Sequence, residues 1–346
     1  MKRLFGVALG VAACTGCGVR LDEPAPAPER EPEAPIAAAC RPFQGTGVVR
    51  LGGRLDSVAL GDGTRLFIAG SARIQDGSGA RELQNAGFIA PDVAPDPSSG
   101  CFGDATLLDH PVLASDALVR AFAAVRIGEQ PVVYFARYEP VAGDPFPQRV
   151  GIGVARWDSQ ALRFVPSQNL LWTGDRPSFG GGAVVDGGEV FAYGCLPGEF
   201  LSHDCYLARA PAESVDDEAA YGYYSGGGQF DESLENAFSI FEAGDPTSVA
   251  HVPGKDRFLA AYVPPLGSAV WVRSGLGAAG PFSGARAALG CELPEDAFGG
   301  DAVVHEIAGE LYVTYGIGSF TPGASDADPL GYWTRLTRLK VPAELP

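Results

Sequence analysis

Residues Gly299–Gly316 read GGDAVVHEIAGELYVTYG, and similar phrases recur along the chain. Each copy is a run of β-forming residues, then a turn that contains Gly or Pro, then a second run that ends in Gly, Tyr or Arg. This order predicts a β-hairpin. The copies follow one another at intervals of roughly 60 residues, the length of one supersecondary unit rather than of a domain. The predicted hairpins are Ser57–Gly70, Ala117–Arg137, Gly182–Gly194, Ser248–Tyr262 and Ala302–Gly316.

A third strand is predicted after most of these hairpins. It is apolar or aromatic with an Arg near its end, as in the segments Gly151–Trp157, Asp204–Ala210, Ala269–Gly275 and Gly331–Thr337. The hairpins are apolar at successive positions, which is typical of strands covered on both faces. We therefore predict an all-β fold, a five-bladed β-propeller of mostly four-stranded antiparallel blades. A two-sheet sandwich with long loops is the alternative, but it would not explain the matched order of hairpin and third strand.

Composition agrees with a folded, turn-rich chain that does not bind nucleic acid. Of 346 residues, 46% are hydrophobic, and there are 47 Gly and 28 Pro. This content is enough for a core and suits many short strands joined by turns. The formal net charge is −17, with no basic cluster. Because phosphates would be repelled, nucleic acid is excluded as a partner.

The N-terminus is expected to be a targeting segment. Lys2 and Arg3 precede the apolar run Leu4–Ala13, which is too short to span a bilayer. The following sequence VAACTGCG resembles a bacterial lipobox, and we expect lipid attachment at Cys17, with Cys14 as the alternative. An ordinary secretory signal cut near Ala13 is a further possibility, and all three imply export.

The sequence divides into residues 1–17, a signal peptide with the lipobox, residues 18–40, a Pro/Ala/Glu-rich tether, and residues 41–346, the propeller domain. The tether is too poor in apolar residues to fold. No Asp follows either candidate lipidated Cys, so the resemblance to lipoproteins implies a bacterial cell envelope protein at the outer membrane. We expect the protein to be a monomer that contacts the membrane through its lipid alone.

The cysteines beyond the signal agree with export. Cys195 and Cys205 bracket a short loop and are the predicted disulfide. Two of Cys40, Cys101 and Cys291 are candidates for a second bridge, which would leave one thiol. Among these five cysteines, no Cys-x-x-Cys spacing indicates a metal site.

Propeller geometry predicts where functional side chains collect. The first strand of each blade runs the same way along the axis, so residues just before these strands would surround one mouth of the central tunnel. They include the candidate catalytic carboxylates Asp56, Asp116 and Asp301, and Asp245, a candidate ligand-binding residue. Grouped carboxylates shift one another's pKa, and a suitably spaced acid–base pair hydrolyses glycosidic bonds. The alternative is that these Asp side chains cap turns and strand starts.

The quoted hairpins, with the phrase GAAGPFSG from Gly277 to Gly284, resemble five-bladed propeller proteins related to arabinanases and β-xylosidases. An uncharacterised branch of secreted bacterial lipoproteins in that superfamily is the most similar. The resemblance implies that Asp56 would be the base and Asp116 an orienting carboxylate. The acid would be a Glu in the third blade, but Phe179–Gly182 contains none, and Glu199 is the candidate for reaching in from another loop.

Two further ligand chemistries are considered. His305, and His251 at a similar point of another hairpin, are candidates for polar contact with a ligand, against the alternative of core or turn histidines. Asp oxygens at a tunnel mouth could hold Ca²⁺, although no Asp-x-Asp-x-Asp-Gly loop is present. The metal content is otherwise unknown, and no other cofactor is indicated.

These observations favour an exported, lipid-anchored propeller that binds a glycan or an envelope protein at the acidic mouth of its tunnel. One alternative is a glycoside hydrolase that uses paired Asp carboxylates. Another is a structural envelope lipoprotein without catalytic activity.

Overall fold

The computed structural model describes residues 39–43, 47–77, 79–99, 101–103, 105–108, 118–144, 147–174, 176–197, 202–244 and 247–340. The predictions for the signal peptide, the lipidated Cys17 or Cys14, and residues 18–38 of the tether lie outside these residues. So do those for Asp116, Glu199 and Asp245. No helix among the described residues is long and apolar enough to cross a membrane.

The described strands form five antiparallel sheets in chain order, as the repeats predict. The first sheet contains β1 (Val48–Ala59), β2 (Thr64–Asp76), β3 (Gly79–Gln84), β4 (Gly87–Pro91) and β5 (Thr106–Leu108), in the order β1-β2-β4-β5 with β3 also paired to β2. The second contains β6 (Leu118–Ile127), β7 (Gln130–Glu139), β8 (Gln148–Asp158), β9 (Arg163–Pro166) and β10 (Trp172–Thr173), in the order β6-β7-β8-β10 with β9 also paired to β8.

The third sheet is the widest and the fifth the narrowest in the part of the chain that the structure describes. The third contains β11 (Gly182–Asp186), β12 (Glu189–Pro197), β13 (His203–Pro211), β14 (Gly222–Gly226), β15 (Gln229–Asp231) and β16 (Phe241–Ala243). The fourth is β17 (Ser248–His251), β18 (Phe258–Tyr262), β19 (Ala269–Gly275) and β20 (Arg286–Gly290). The fifth is β21 (Ala297–Ile307), β22 (Glu310–Ser319) and β23 (Arg335–Arg338). Described helices are short: 3-10 turns at Pro97–Ser99, Ala212–Ser214, Glu218–Ala220 and Leu234–Asn236, and α1 at Ala324–Ala327.

The arrangement of the core identifies these sheets as propeller blades. Buried hydrophobic side chains of the described residues form five clusters. Each cluster combines side chains from two blades that are neighbours around the ring, including the fifth and the first. A sandwich would instead place one core between two sheets. The predicted five-bladed β-propeller is confirmed, and the apolar runs of the hairpins are explained by burial on both faces.

The ring is closed by the segment that precedes the first blade. The N–H of Cys40 donates to the Leu336 carbonyl of β23, and the N–H of Leu336 donates to the Cys40 carbonyl, both at 2.9 Å. Cys40 thereby takes the place of a fourth strand beside the three-stranded fifth sheet. The Cys40–Cys101 disulfide then ties this segment to the first blade.

The third strand of the fifth blade is shorter than predicted. The predicted segment is 331–337, whereas the strand is Arg335–Arg338. The Arg335 guanidinium donates to the carbonyls of Leu330, Gly331 and Trp333. These carbonyls therefore face a side chain, and the segment that contains them forms a turn.

The predicted disulfide between Cys195 and Cys205 is present. These residues face each other across the β12–β13 pair. The second bridge joins Cys40 and Cys101, and Cys291 is the buried free cysteine of the described residues.

Candidate functional site

Two cavities lie at the centre of the ring. The first, the tunnel cavity, has a volume of about 530 Å³. All five first strands line it, through Asp56–Ala59, Ala123–Arg126, Ala183–Val185, Ser248–His251 and Val304–Glu306, together with Arg65 and Asp92. It reaches the face where the first strands end, which we call the lower face.

The second, the mouth cavity, has a volume of about 490 Å³ and lies between the first and second blades. It is near the face where the first strands begin, which we call the upper face. Both volumes are within the range of about 300–1,000 Å³ typical of small-molecule sites. The mouth cavity is lined by Gly53, Arg54, Gly70, Ser71, Gln84, Leu118, Val119, Arg120, Tyr138 and Pro147.

Asp56 is held by donors from two blades. Arg54 Nη2 lies 2.8 Å from its Oδ2 atom. Its Oδ1 atom accepts from the N–H of Ser57 at 2.8 Å and from the N–H of Ala124, in the second blade, at 3.3 Å. The Asp56 side chain is 8% exposed. Burial raises its pKa, and the Arg54 guanidinium and the two backbone donors oppose that rise.

The Arg54–Asp56 ion pair separates the two cavities, because Arg54 lines the mouth cavity and Asp56 lines the tunnel cavity. Residues two apart in a strand project to the same side, which allows the pair to form. The sequence analysis missed Arg54, although the phrase RLD, which places an Arg two residues before Asp56, was a signal for it.

Asp301 lies at the upper end of the tunnel. Its Oδ1 and Oδ2 atoms are 3.1 and 3.2 Å from Nη2 of Arg120 in the second blade. A Cβ placed on Gly53 of the first blade would be 3.8 Å from Asp301 Oδ2. The backbone of Asp301 has a left-handed conformation, with φ of 49°, because Asp301 lies in a β-bulge of β21. Three blades therefore meet at this carboxylate.

The expectation that Asp56 and Asp301 occupy equivalent positions just before their strands is wrong. Both lie inside first strands, which start earlier than predicted and continue through a bulge. The bulges of β1, β6 and β21 lie between Gly52 and Leu55, Ala121 and Ala124, and Gly300 and Val303. By this register Asp301 corresponds to Gly53, whereas Asp56 corresponds to Val304. Asp56 is therefore further along its strand, deeper in the tunnel.

His305 is buried in a chain of hydrogen bonds between the fifth and first blades. Its Nδ1 atom is 2.7 Å from Ser57 Oγ, and its Nε2 atom is 2.8 Å from Thr314 Oγ1. Arg65 Nη1 donates to Ser57 Oγ at 3.0 Å, so the Ser57 hydroxyl is free to donate to Nδ1. Nε2–H then donates to Thr314, whose hydroxyl donates to the Leu55 carbonyl at 3.1 Å. A neutral imidazole satisfies every partner.

The surroundings of His305 oppose its protonation. Burial lowers its pKa well below the usual value, and the nearby Arg65 and Arg54 guanidinium groups lower it further. His305 lines the tunnel cavity, but both ring nitrogens are engaged within the protein. Its predicted role in ligand contact stays a prediction. His251 is exposed at the lower end of the same cavity.

Within the described residues, no group of three or more His, Cys, Asp or Glu side chains could hold a metal ion. Of the predicted carboxylates, Asp56 lies in the first blade beside Arg54, and Asp301 lies in the fifth blade beside Arg120 of the second. The Ca²⁺ prediction stays a prediction.

Solved structures of other proteins have the same fold as this chain. Neither a protein-family profile nor a curated protein sequence matches this chain. Among solved structures, a Bacteroides ovatus protein suggested to be a hydrolase has a TM-score of 0.62 and 13% identity, covering 83% of this chain and 85% of its own. A GH43_1 enzyme from Xanthomonas citri has a TM-score of 0.54 and 13% identity, covering 90% and 93%. This chain has the propeller fold of the GH43 enzymes.

A GH43 β-xylosidase/α-arabinofuranosidase from a compost microbial metagenome agrees, with a TM-score of 0.53, 16% identity and coverage of 90% and 97%. The resemblance to arabinanase- and xylosidase-related propellers is thus confirmed for the fold. Identities this low do not extend to catalytic residues or substrate.

Proposed function

We propose that this protein is an exported, lipid-anchored propeller that binds a glycan in the mouth cavity and does not hydrolyse it. The observation that carries the proposal is the lining of that cavity. It combines Tyr138 with Arg54, Arg120, Gln84 and Ser71. Sugar rings stack on aromatic side chains, and their hydroxyls pair with a few placed polar groups.

The fold supports a sugar ligand by analogy with solved propellers. The Xanthomonas citri enzyme has been crystallised with xylose and with xylotriose, and the metagenome enzyme with xylotriose. These ligands belong to those proteins.

The geometry favours binding over hydrolysis. Hydrolysis by two carboxylates needs an acid and a base that both reach the glycosidic bond, about 5–9.5 Å apart. Asp56 is buried and accepts from three donors, and Asp301 is paired with Arg120. The third blade has Phe179 and glycines where the resemblance calls for a Glu. A glycoside hydrolase that uses Asp56 with Asp116 is the second candidate function.

Export is supported by the disulfides. Cys40–Cys101 and Cys195–Cys205 are bridges of a kind that persist in oxidising compartments. Lipid attachment rests on the N-terminal sequence. Labelling with a radioactive fatty acid tests it: Cys17→Ser should abolish incorporation and release the protein from the membrane fraction, whereas Cys14→Ser should not. Incorporation that survives both substitutions would contradict the anchor.

Glycan binding and hydrolysis are tested on one set of oligosaccharides. The full chain is screened on a glycan array, and every glycan that binds is then incubated with the protein and assayed for new reducing ends. We expect retention on the array without cleavage, and loss of retention in Tyr138→Ala but not in the distant surface variant Arg338→Gln. Cleavage that is lost in Asp56→Asn would support the hydrolase instead. No retention of any glycan would overturn the proposal and leave a structural envelope protein.

A further inference from the structure

The guanidinium of Arg54 is buried with unused donors. The residue is 1% exposed, and its Nη2 atom pairs with Asp56. Its Nε and Nη1 atoms have no hydrogen-bond partner among the described residues. A buried N–H without an acceptor loses the hydrogen bonds that water gives it in the unfolded chain. Arg54 also lines the mouth cavity, so these unsatisfied donors belong to a residue at the wall of that cavity.

The charged residues that line the mouth cavity are arginines. Arg54 and Arg120 both line it, and none of the described lining residues is Asp or Glu. Each arginine is paired with a carboxylate, Asp56 or Asp301, that is not among the lining residues. The chain as a whole carries a formal net charge of −17. Two arginine side chains at one cavity of an acidic protein favour an anionic ligand.

We propose that the glycan bound in the mouth cavity carries a carboxylate, as a uronic acid does. This inference rests on the glycan-binding function proposed above. A carboxylate has two oxygens and several lone pairs, so it can accept from the unused donors of Arg54 while Arg120 supplies a second positive charge. Charge-assisted hydrogen bonds are about twice as strong as neutral ones, which favours a uronic acid over a neutral sugar at this position.

The remaining lining suits the sugar rather than the acid. Tyr138 brings an aromatic residue to the lining, and Ser71 and Gln84 bring side chains that can pair with sugar hydroxyls. Inorganic anions would use the arginines alone and leave these groups unused. A carboxylate attached to a sugar ring uses both parts of the lining.

The test compares sugars that differ only at the carboxyl group. The full chain, purified in detergent, is titrated calorimetrically with oligogalacturonate and with its carboxyl-reduced galactose counterpart. We expect the acidic oligomer to bind at least about tenfold more tightly, the change that losing one charge-assisted contact produces. Its affinity should fall as salt is raised, and that of the neutral oligomer should not.

Two variants locate the contact. Arg54→Lys keeps a positive charge beside Asp56 but lacks the Nε and Nη1 donors, and Arg120→Gln removes the second charge. Each should reduce the preference for the acidic oligomer to near unity, whereas Arg338→Gln, on the outer strand of the fifth blade, should not change it. If Arg54→Lys does not fold, as judged by its unfolding temperature, the preference of Arg120→Gln for the acidic oligomer alone tests the assigned position.

The outcomes separate this inference from the proposed function. Equal affinity for the two oligomers would overturn the carboxylate and leave glycan binding in place. An acidic preference that survives both mouth variants would overturn the assigned position. Failure of both oligomers, together with an array that retains no glycan, would overturn the proposed function itself.

Discussion

The carboxylate of Asp56 connects the first blade to the second. Arg54, Ser57 and the Ala124 N–H, from both blades, donate to it inside the tunnel wall. Such a side chain stabilises the ring as well as shaping the site. At the scale of single residues, Asp56, Ser57, His305 and Thr314 form satisfied polar networks in the tunnel wall, whereas Arg54 and Arg126 keep buried nitrogens without a partner among the described residues.

Removing Asp56 should be costly. Asp56→Ala leaves the Arg54 guanidinium buried without a counter-ion, and breaking a buried ion pair in this way typically costs about 3–5 kcal/mol. The matched control is Glu310→Ala, which breaks the exposed Arg338–Glu310 pair and should cost at most about 1 kcal/mol. Urea unfolding followed by fluorescence measures both. Equal losses would show that the Arg54–Asp56 pair does not stabilise the fold.

His305 should make stability depend on pH. Its pKa is lowered in the folded protein, so the folded state favours the neutral imidazole. The resulting stability is fully present above the unfolded pKa of about 6.5 and is lost as pH falls below it, by up to about 1.4 kcal/mol per pH unit. Replacing His305 with Gln should remove this slope, and His251→Gln, at an exposed position, should not. Unfolding free energies between pH 8 and pH 5 test this, and an unchanged slope in His305→Gln would contradict it.

At the scale of elements, the first strands β1 and β21 start earlier than the hairpin pattern indicates, and the start of β11 approaches a neighbouring blade closely. Gly182, at the start of β11, faces the Thr247 backbone carbonyl just before β17. A Cβ at Gly182 would collide with that carbonyl oxygen, which belongs to backbone and cannot rotate away. Glycine is therefore required where the third and fourth blades meet.

A methyl group at this position should separate the two blades. We expect Gly182→Ala to destabilise the protein by about 1–3 kcal/mol, the usual effect of overpacking. Gly284→Ala is the control, because nothing lies within 4 Å of the position its Cβ would occupy. Thermal unfolding compares the two variants. If they melt together, the close approach at Gly182 is relaxed by movement of the blades.

At the scale of the whole molecule, the ring depends on contacts between residues far apart in the chain. Backbone hydrogen bonds join Cys40 to Leu336 in the fifth blade. A disulfide joins Cys40 to Cys101, at a sequence separation of 61. The Cys195–Cys205 bridge spans a separation of 10, within one hairpin. The first bridge ties together the two ends of the propeller, and the second reinforces a single pair of strands.

The two bridges should therefore differ in their effect on stability. By the loop-entropy estimate, the Cys40–Cys101 bridge contributes about 4 kcal/mol and the Cys195–Cys205 bridge about 3 kcal/mol. The double variant Cys40→Ser/Cys101→Ser should lose the larger amount, because ring closure is weakened as well. Guanidinium unfolding of both double variants measures the difference. A larger loss on removing the Cys195–Cys205 bridge would show that ring closure does not depend on the covalent link.

Part of this fold was predictable, because its signals are local. The turn at Ala308–Gly309 and the β-forming runs on either side define a hairpin without reference to any other segment. The bulges of β1, β6 and β21 were not predictable, since they depend on how each strand meets the next blade. Asp56 and Asp301 lie at different positions relative to these aligned bulges, so they are not equivalent.

The sequence by itself determined the repeats, the number of blades and the Cys195–Cys205 pair, since each is specified by neighbouring residues. Only the tertiary structure decided which side chains meet. Cys40 is bonded to Cys101 rather than to Cys291. Asp56 is paired with Arg54 and Asp301 with Arg120. The contacts of Cys40 and Asp301 form because closure of the ring brings distant strands together. Such contacts depend on the register between blades, which no short stretch of sequence specifies.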